Sequence, residues 1–154
     1  MPSTPMSQPF RYYLRVRYGE CDAQKVVFNA RYGEYIDLAI TEFLRALGYG
    51  EQMVTAELDF QLVRQTTQWR APARYDNVLE GSVTTMGIGN TSFTLRVEFR
   101  VAGNPMVICE SETVYVLVDH ATLTKRPVAA DMRERLERGA PGRMIDHAGY
   151  LSAA

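Results

Sequence analysis

The residues best placed for chemistry lie in one short stretch, Arg17-Tyr18-Gly19-Glu20-Cys21-Asp22-Ala23-Gln24-Lys25-Val26-Val27-Phe28-Asn29-Ala30-Arg31-Tyr32, running from the end of an expected strand to the start of an expected helix. It sets two carboxylates, Glu20 and Asp22, just before a helix N-terminus. The free amides of a first helical turn carry about half an elementary positive charge, which suits an oxyanion or a polarised carbonyl. A carboxylate beside such a site makes a hydrolytic pair, one group attacking or activating water while the other draws electrons from the carbonyl. The same spacing fits acids that merely decorate a solvated loop or cap the helix, and spacing alone does not choose.

Other chemistries are excluded by what is missing. There is no GxSxG elbow, no GxxxxGK[ST] phosphate loop and no HExxH zinc helix. Of the two histidines, His120 and His147, neither sits beside a motif, which argues against a Ser-His-Asp triad. Gly87-Ile88-Gly89 lacks the third glycine of a dinucleotide fingerprint and reads as a turn. Asn90-Thr91-Ser92 matches a glycosylation acceptor but has no secretory signal to go with it. Cys21 and Cys109 are too few for a disulfide framework and form no CxxC pair, so free thiols are expected. Seventeen basic against eighteen acidic residues leave a net charge of −1, with no global field to attract nucleic acid or an anionic membrane. No run approaches the ~20 apolar residues of a membrane span, and a cytoplasmic protein is expected.

The elements that must position Asp22 follow from periodicity. Residues 1–10, with three prolines, read as a loosely attached lead. From Arg11 to Tyr18 the chain alternates, with Tyr12, Leu14, Val16 and Tyr18 on one face and Arg11, Tyr13, Arg15 and Arg17 on the other, as a half-buried strand does. Between Ala30 and Leu47 apolar residues recur at helical spacing, Asn29 is an N-cap candidate and Gly48 a natural stop. Phe60–Arg70 reads as a weak strand. Clearer strands follow at Val78–Ile88, Ser92–Val101 and Met106–Val118, joined by Gly89-Asn90 and Gly103-Asn104-Pro105 turns. A helix over Ala129–Arg138 precedes an irregular tail. The order predicts an α+β fold, one long central helix wrapped by a curved antiparallel β-sheet, with a domain over 11–127 and a C-terminal helix and tail over 128–154.

At these residues the chain resembles the 4-hydroxybenzoyl-CoA thioesterase family of hotdog-fold proteins. The family pattern is a strand-end aromatic, an acid or small residue, x-Asp, two valine-like residues, an aromatic and a helix opening with x-x-Tyr. Here it reads Tyr18, Glu20, Asp22, Val26-Val27, Phe28 and Tyr32. The likeness continues through Thr41-Glu42-Phe43-Leu44, Ala71-Pro72-Ala73-Arg74-Tyr75-Asp76 and Gly89-Asn90-Thr91-Ser92-Phe93.

The resemblance implies an acyl-CoA thioesterase that uses no metal and no organic cofactor. Asp22 matches the catalytic aspartate, as nucleophile or general base, and the backbone amide of Asn29 matches the group that polarises the thioester carbonyl. Phe28 and Tyr32 would bind substrate, and Gly89, Asn90, Thr91 and Ser92 match a region near the CoA pantetheine and phosphates, often supplied by the partner subunit. A homodimer or homotetramer is implied, with sheets joined edge to edge and sites between subunits. Two departures touch the site. Lys25 stands where the family often has glycine, and Asn29 where many members have histidine or tyrosine. At the Gly89–Ser92 turn some relatives carry arginines and lysines, whereas this chain offers Asn90, Thr91, Ser92 and backbone amides, so phosphate binding would fall to Arg64, Arg70, Arg74 or Arg126. Hydrolysis of an acyl group on acyl carrier protein, or a non-catalytic hotdog dimer that binds acyl thioesters, remain alternatives.

Overall fold

A computed structural model describes residues 8–153. Its elements are β1 (Phe10–Arg15), α1 (Tyr32–Leu44), α2 (Gly50–Thr55), β2 (Phe60–Trp69), β3 (Val78–Ile88), β4 (Ser92–Val101), β5 (Val107–Leu117), α3 (Ala130–Arg138) and β6 (Met144–Asp146). They form one six-stranded sheet in the order β2-β5-β4-β3-β1-β6, antiparallel except where β6 runs parallel to β1.

Strand β4 alternates cleanly from Ser92 to Phe99, before the register shift at Phe99/Arg100. Phe93, Leu95, Val97 and Phe99 point inward and are fully buried. The outward residues carry an ion-pair ladder in which Arg70 meets Glu110 at 2.7 Å, Arg96 meets Glu110 at 3.2 Å and Arg100 meets Glu98 at 3.1 Å. Against the inner face lies α1, whose buried stripe is Tyr32, Tyr35, Ile36, Ala39, Ile40, Phe43 and Leu44. Burying each large side chain of this kind contributes roughly 1.5–3 kcal/mol, so the helix is held by the sheet and not by its own propensity. Bulges at Leu62/Arg64, Thr85/Gly87 and Phe99/Arg100 bend the strands around it. Gly81 sits under the Phe99 ring, where a Cβ would come within 2.7 Å of the ring edge.

Several boundaries differ from the sequence expectation. The lead over residues 1–7 lies outside the described residues, while Phe10 already opens β1 and packs edge-on against Phe43 at 5.6 Å. The strand ends at Arg15, so Tyr18 is not on its buried face but 79 % exposed. Tyr13, assigned to the solvent face, is buried because Tyr150 stacks on it at 5.3 Å. Asn29 is not an N-cap. It is the first residue of a tight turn over Asn29–Arg31 that feeds α1, and no side chain caps that turn. After Leu44 the helical path widens through Arg45–Tyr49 and breaks at Gly48, whose φ of 101° suits glycine, before restarting as α2.

The tail is not irregular throughout. Residues Met144–Asp146 pair with β1, and the His147 amide donates to the Tyr13 carbonyl at 3.0 Å. One sheet edge is thereby covered. The other edge, β2, has residues 61–66 exposed and no strand beyond it among the described residues. Among those residues no helix is long and apolar enough to cross a membrane.

Candidate active site

The connection from β1 to α1 folds into a small hairpin. Glu20 and Phe28 close its base, the Phe28 amide donating to the Glu20 carbonyl at 3.0 Å, and Cys21 pairs with Val27. Further out, the Asp22 amide donates to the Val26 carbonyl and the Lys25 amide to the Asp22 carbonyl, both at 2.9 Å. The Asp22 side chain then closes an Asx turn, Oδ1 accepting the Gln24 amide at 2.8 Å. This leaves Asp22 exposed, with one carboxylate oxygen anchored and the other free of protein donors among the described residues.

Lys25 sits in this hairpin with φ 64°, a left-handed conformation that side chains disfavour. That is the physical reason a glycine suits the position. The segment Ala71–Asn77 supports the hairpin from behind, with the Val27 amide donating to the Ala73 carbonyl at 2.8 Å and Val26 bridging to Arg74.

Seven residues beyond Asp22, the Asn29 amide opens the turn into α1. Its neighbours are committed, Phe28 to Glu20 and Arg31 to the Phe28 carbonyl at 2.9 Å. The Asn29 amide itself is among the first donors of a helical start, which have no acceptor within the helix. Asp22 and Asn29 therefore stand on the two arms of one hairpin, a carboxylate and a free donor on the same end of the sheet.

Beneath them the wall is aromatic. Tyr32 is buried, edge-on to Tyr35 at 5.5 Å and to Trp69 and Phe99 at 6.4 Å, and burial pushes its hydroxyl up to about 12. Phe28, by contrast, is 54 % exposed beside Asn29. Of the two substrate-facing candidates, Phe28 offers surface and Tyr32 supports from within the core.

Glu20, read from sequence as a loop acid, is a buried node. Its Oε1 accepts the Arg17 amide at 2.7 Å and the Tyr35 hydroxyl at 2.9 Å, and its Oε2 accepts the Arg17 guanidinium at 3.2 and 3.0 Å. Burial pushes this carboxyl up, but the Arg17 amide, the Arg17 guanidinium and the Tyr35 hydroxyl outweigh it and hold it below the usual carboxylate range. The available signal was the Arg17/Glu20 spacing, which a charge count alone reads as solvated.

Gly89, Asn90, Thr91 and Ser92 are at the opposite end of the sheet. There the Gly89 amide donates to the Ser92 carbonyl at 2.7 Å, Thr91 accepts from Leu117 and Asn90 accepts from Val128. β1 meets β3 at Val78, whereas this turn follows Ile88, so the two candidate regions are separated by the length of β3, roughly 30 Å at strand rise. Within one chain they do not meet. Of the arginines considered for phosphate binding, Arg70 is engaged by Glu110 and Arg126 donates to the Glu57 carbonyl, while Arg64 and Arg74 are exposed.

Residues 16–136 match the family model of the thioesterase-like superfamily. The chain belongs to the thioesterase-like superfamily. It is 33 % identical over 120 residues to the acyl-CoA thioester hydrolase YbgC of Escherichia coli O157:H7, covering 76 % of this chain and 87 % of that protein. Gentisyl-coenzyme A thioesterase BH1999 superposes with a TM-score of 0.71 at 25 % identity, covering 82 % of this chain and 98 % of the other. The 4-hydroxybenzoyl CoA thioesterase from Pseudomonas sp. strain CBS-3 superposes at 0.73 with 20 % identity over 84 % and 99 % of the two chains, and at that distance shows the shared hotdog fold. The expected fold class and family are both borne out, and the enzyme is a thioester hydrolase.

Proposed function

We propose that this protein hydrolyses an acyl-CoA thioester to the free acid and CoA, with Asp22 as the nucleophile or general base and the Asn29 amide polarising the thioester carbonyl. The observation that carries the reading is the hairpin that presents both groups. One arm holds an exposed carboxylate with a free oxygen, the other a helix-start amide with no acceptor of its own. A donor fixed in advance where the oxyanion develops costs no reorganisation during reaction. A carboxylate beside it supplies either a covalent path or a base for water.

The CoA arm requires a second subunit in this reading. Two copies of the open β2 edge paired about a two-fold axis run antiparallel, so the partner's Phe60 end lies beside Trp69. Because Phe60 pairs with Leu117 and Leu117 contacts Thr91, that arrangement brings the partner's Gly89–Ser92 turn toward the Asp22 end. A homodimer of this kind uses the residues that a single chain holds far apart.

The test is release of free thiol from a panel of short, long and aromatic acyl-CoAs by wild type and by Asp22→Asn. Turnover by wild type with a loss of roughly 100-fold or more in the variant supports the proposal. Equal activity in both proteins removes Asp22 from the mechanism, and tight acyl-CoA binding without turnover by either favours a binding module. The same acyl group carried on acyl carrier protein distinguishes the carrier.

A further inference from the structure

We propose that Glu20 is a positioning residue for the Asp22 reaction, its buried carboxylate fixing where Asp22 and the Asn29 amide stand relative to each other. The inference rests on the reading of Asp22 given above and adds a residue to it.

Glu20 is not itself the reacting acid. It is 5 % exposed, and its two oxygens accept four donors, which fills the acceptor sites a carboxylate has and leaves none for a substrate or its proton. What it does instead is close a ring of contacts around the site. Its side chain is held by Tyr35, a residue of α1 packed in the core edge-on to Phe99 at 6.4 Å. Its own carbonyl holds the Phe28 amide. Phe28 is joined covalently to Asn29, and Asn29 leads back through the first turn into the same helix.

The ring therefore runs from Tyr35 to the Glu20 carboxylate, through the Glu20 carbonyl to Phe28, and along the chain to Asn29 and α1. Asp22 is two residues from one jaw of the Glu20–Phe28 clamp and Asn29 one residue from the other. The Arg17 contacts fix the remaining freedom, since they tie the same carboxylate to the exit of β1. Buried apolar area contributes little at the hairpin tip, where residues 22–25 are all exposed, so these hydrogen bonds carry the geometry.

Glu20→Gln keeps an oxygen for the Arg17 amide and Tyr35 but sets an amide N–H against the guanidinium donors. A displacement of the order of 1 Å at reacting groups costs up to ~100-fold in rate. Because the misalignment falls on the transition state, the loss belongs in kcat and not in KM.

The experiment measures kcat, KM and thermal unfolding for wild type, Asp22→Asn, Glu20→Gln, Tyr35→Phe and the Glu20→Gln/Tyr35→Phe double variant on the best acyl-CoA from the panel. The expected result is a fall in kcat of roughly 10–100-fold for Glu20→Gln with KM within about threefold. Tyr35→Phe should lose roughly 3–10-fold, and the double variant should be little worse than Glu20→Gln, because both changes break the same ring. A folded Glu20→Gln with kcat within about twofold of wild type, or with its whole loss in KM, overturns the inference. A purely structural Glu20 would lower the melting temperature and leave kcat per folded molecule intact, which also overturns it. If Glu20→Gln does not fold, Tyr35→Phe decides: an unchanged kcat sinks the proposal. Full activity in Asp22→Asn would bring down the Asp22 reading and this inference with it. An inactive Asp22→Asn beside an unimpaired Glu20→Gln removes this inference alone.

Discussion

The inner face of β4 and the Asp22 hairpin belong to one core yet are held by different physics. On β4 four consecutive inward side chains, Phe93, Leu95, Val97 and Phe99, are fully buried and carry no polar atom. Their stability comes from area, which is spread over many contacts and tolerant of small shifts. The hairpin buries Val27 but exposes Asp22, Ala23, Gln24 and Lys25, and it is shaped by discrete hydrogen bonds around one carboxylate. Area fixes whether the chain folds, and directed bonds fix where two reacting groups stand.

That contrast breaks if damage in the two regions has the same consequence. Leu95→Ala should cost the most, ~2–5 kcal/mol of folding stability, since it leaves a cavity in a packed interior. Urea unfolding measures it, and kcat of the folded protein at low temperature should stay near wild type. Asp22→Asn should do the reverse, losing roughly 100-fold or more in kcat while stability moves by no more than about 0.5 kcal/mol, because Asn still accepts the Gln24 amide. If Asp22→Asn unfolded the protein, or Leu95→Ala abolished turnover without destabilising it, the two regions would not be separable.

The same contrast explains what could be read in advance. Strands β3, β4 and β5 and the stripe of α1 were legible because area leaves a period in the sequence, two for a half-buried strand and near 3.6 for a helix face. The three-residue β6 has no period to show, and the tail that continues from it carries Tyr150, which stacks on Tyr13, a residue the alternation alone placed on the opposite face from the core. In the hairpin, Asp22 and Asn29 were found by a pattern of types in order, not by periodicity. Glu20 was underread because its role depends on Tyr35, fifteen residues away and brought near only by the turn into α1. The separation of Gly89–Ser92 from Asp22 within one chain follows from the length of β3, whose bounds the sequence did show.

A gentler way to sharpen the comparison is pH. The folded Glu20 carboxyl titrates below its unfolded value, because burial, which pushes it up, is outweighed by the Arg17 and Tyr35 bonds. Such a group adds stability that is present above the unfolded pKa and lost as pH falls through the folded one. Wild type should therefore lose stability as pH drops below the usual carboxylate range, and Glu20→Gln should lose less over that window. The slope will not vanish in the variant. Asp146, where backbone amides outweigh burial, and Glu110, held down first by Arg70, titrate in the same direction. A melting temperature series from neutral to acid pH checks it, and identical slopes in both proteins would mean the Glu20 network adds nothing to folding.

The smallest effect separates strain from charge inside the hairpin. Lys25 and Ala56 both hold φ 64°, one in the Asp22 hairpin and one at the end of α2. Placing a side chain in the left-handed region costs roughly 1–2 kcal/mol, while glycine loses about 0.5–1 kcal/mol through its freer unfolded chain. Lys25→Gly and Ala56→Gly should each gain up to about 1 kcal/mol, a rise of ~2–4 °C in melting temperature for a chain of this size. Ala56→Gly should leave kcat unchanged, because the end of α2 packs beside Asp59 and Val118 and not against the Asp22 hairpin. If Lys25→Gly matches it in stability but raises KM for acyl-CoA, the ammonium contributes attraction to an anionic substrate, over and above the backbone strain it imposes. If both variants leave KM unchanged, Lys25 acts only through its backbone, and the hairpin tolerates the residue without using its charge.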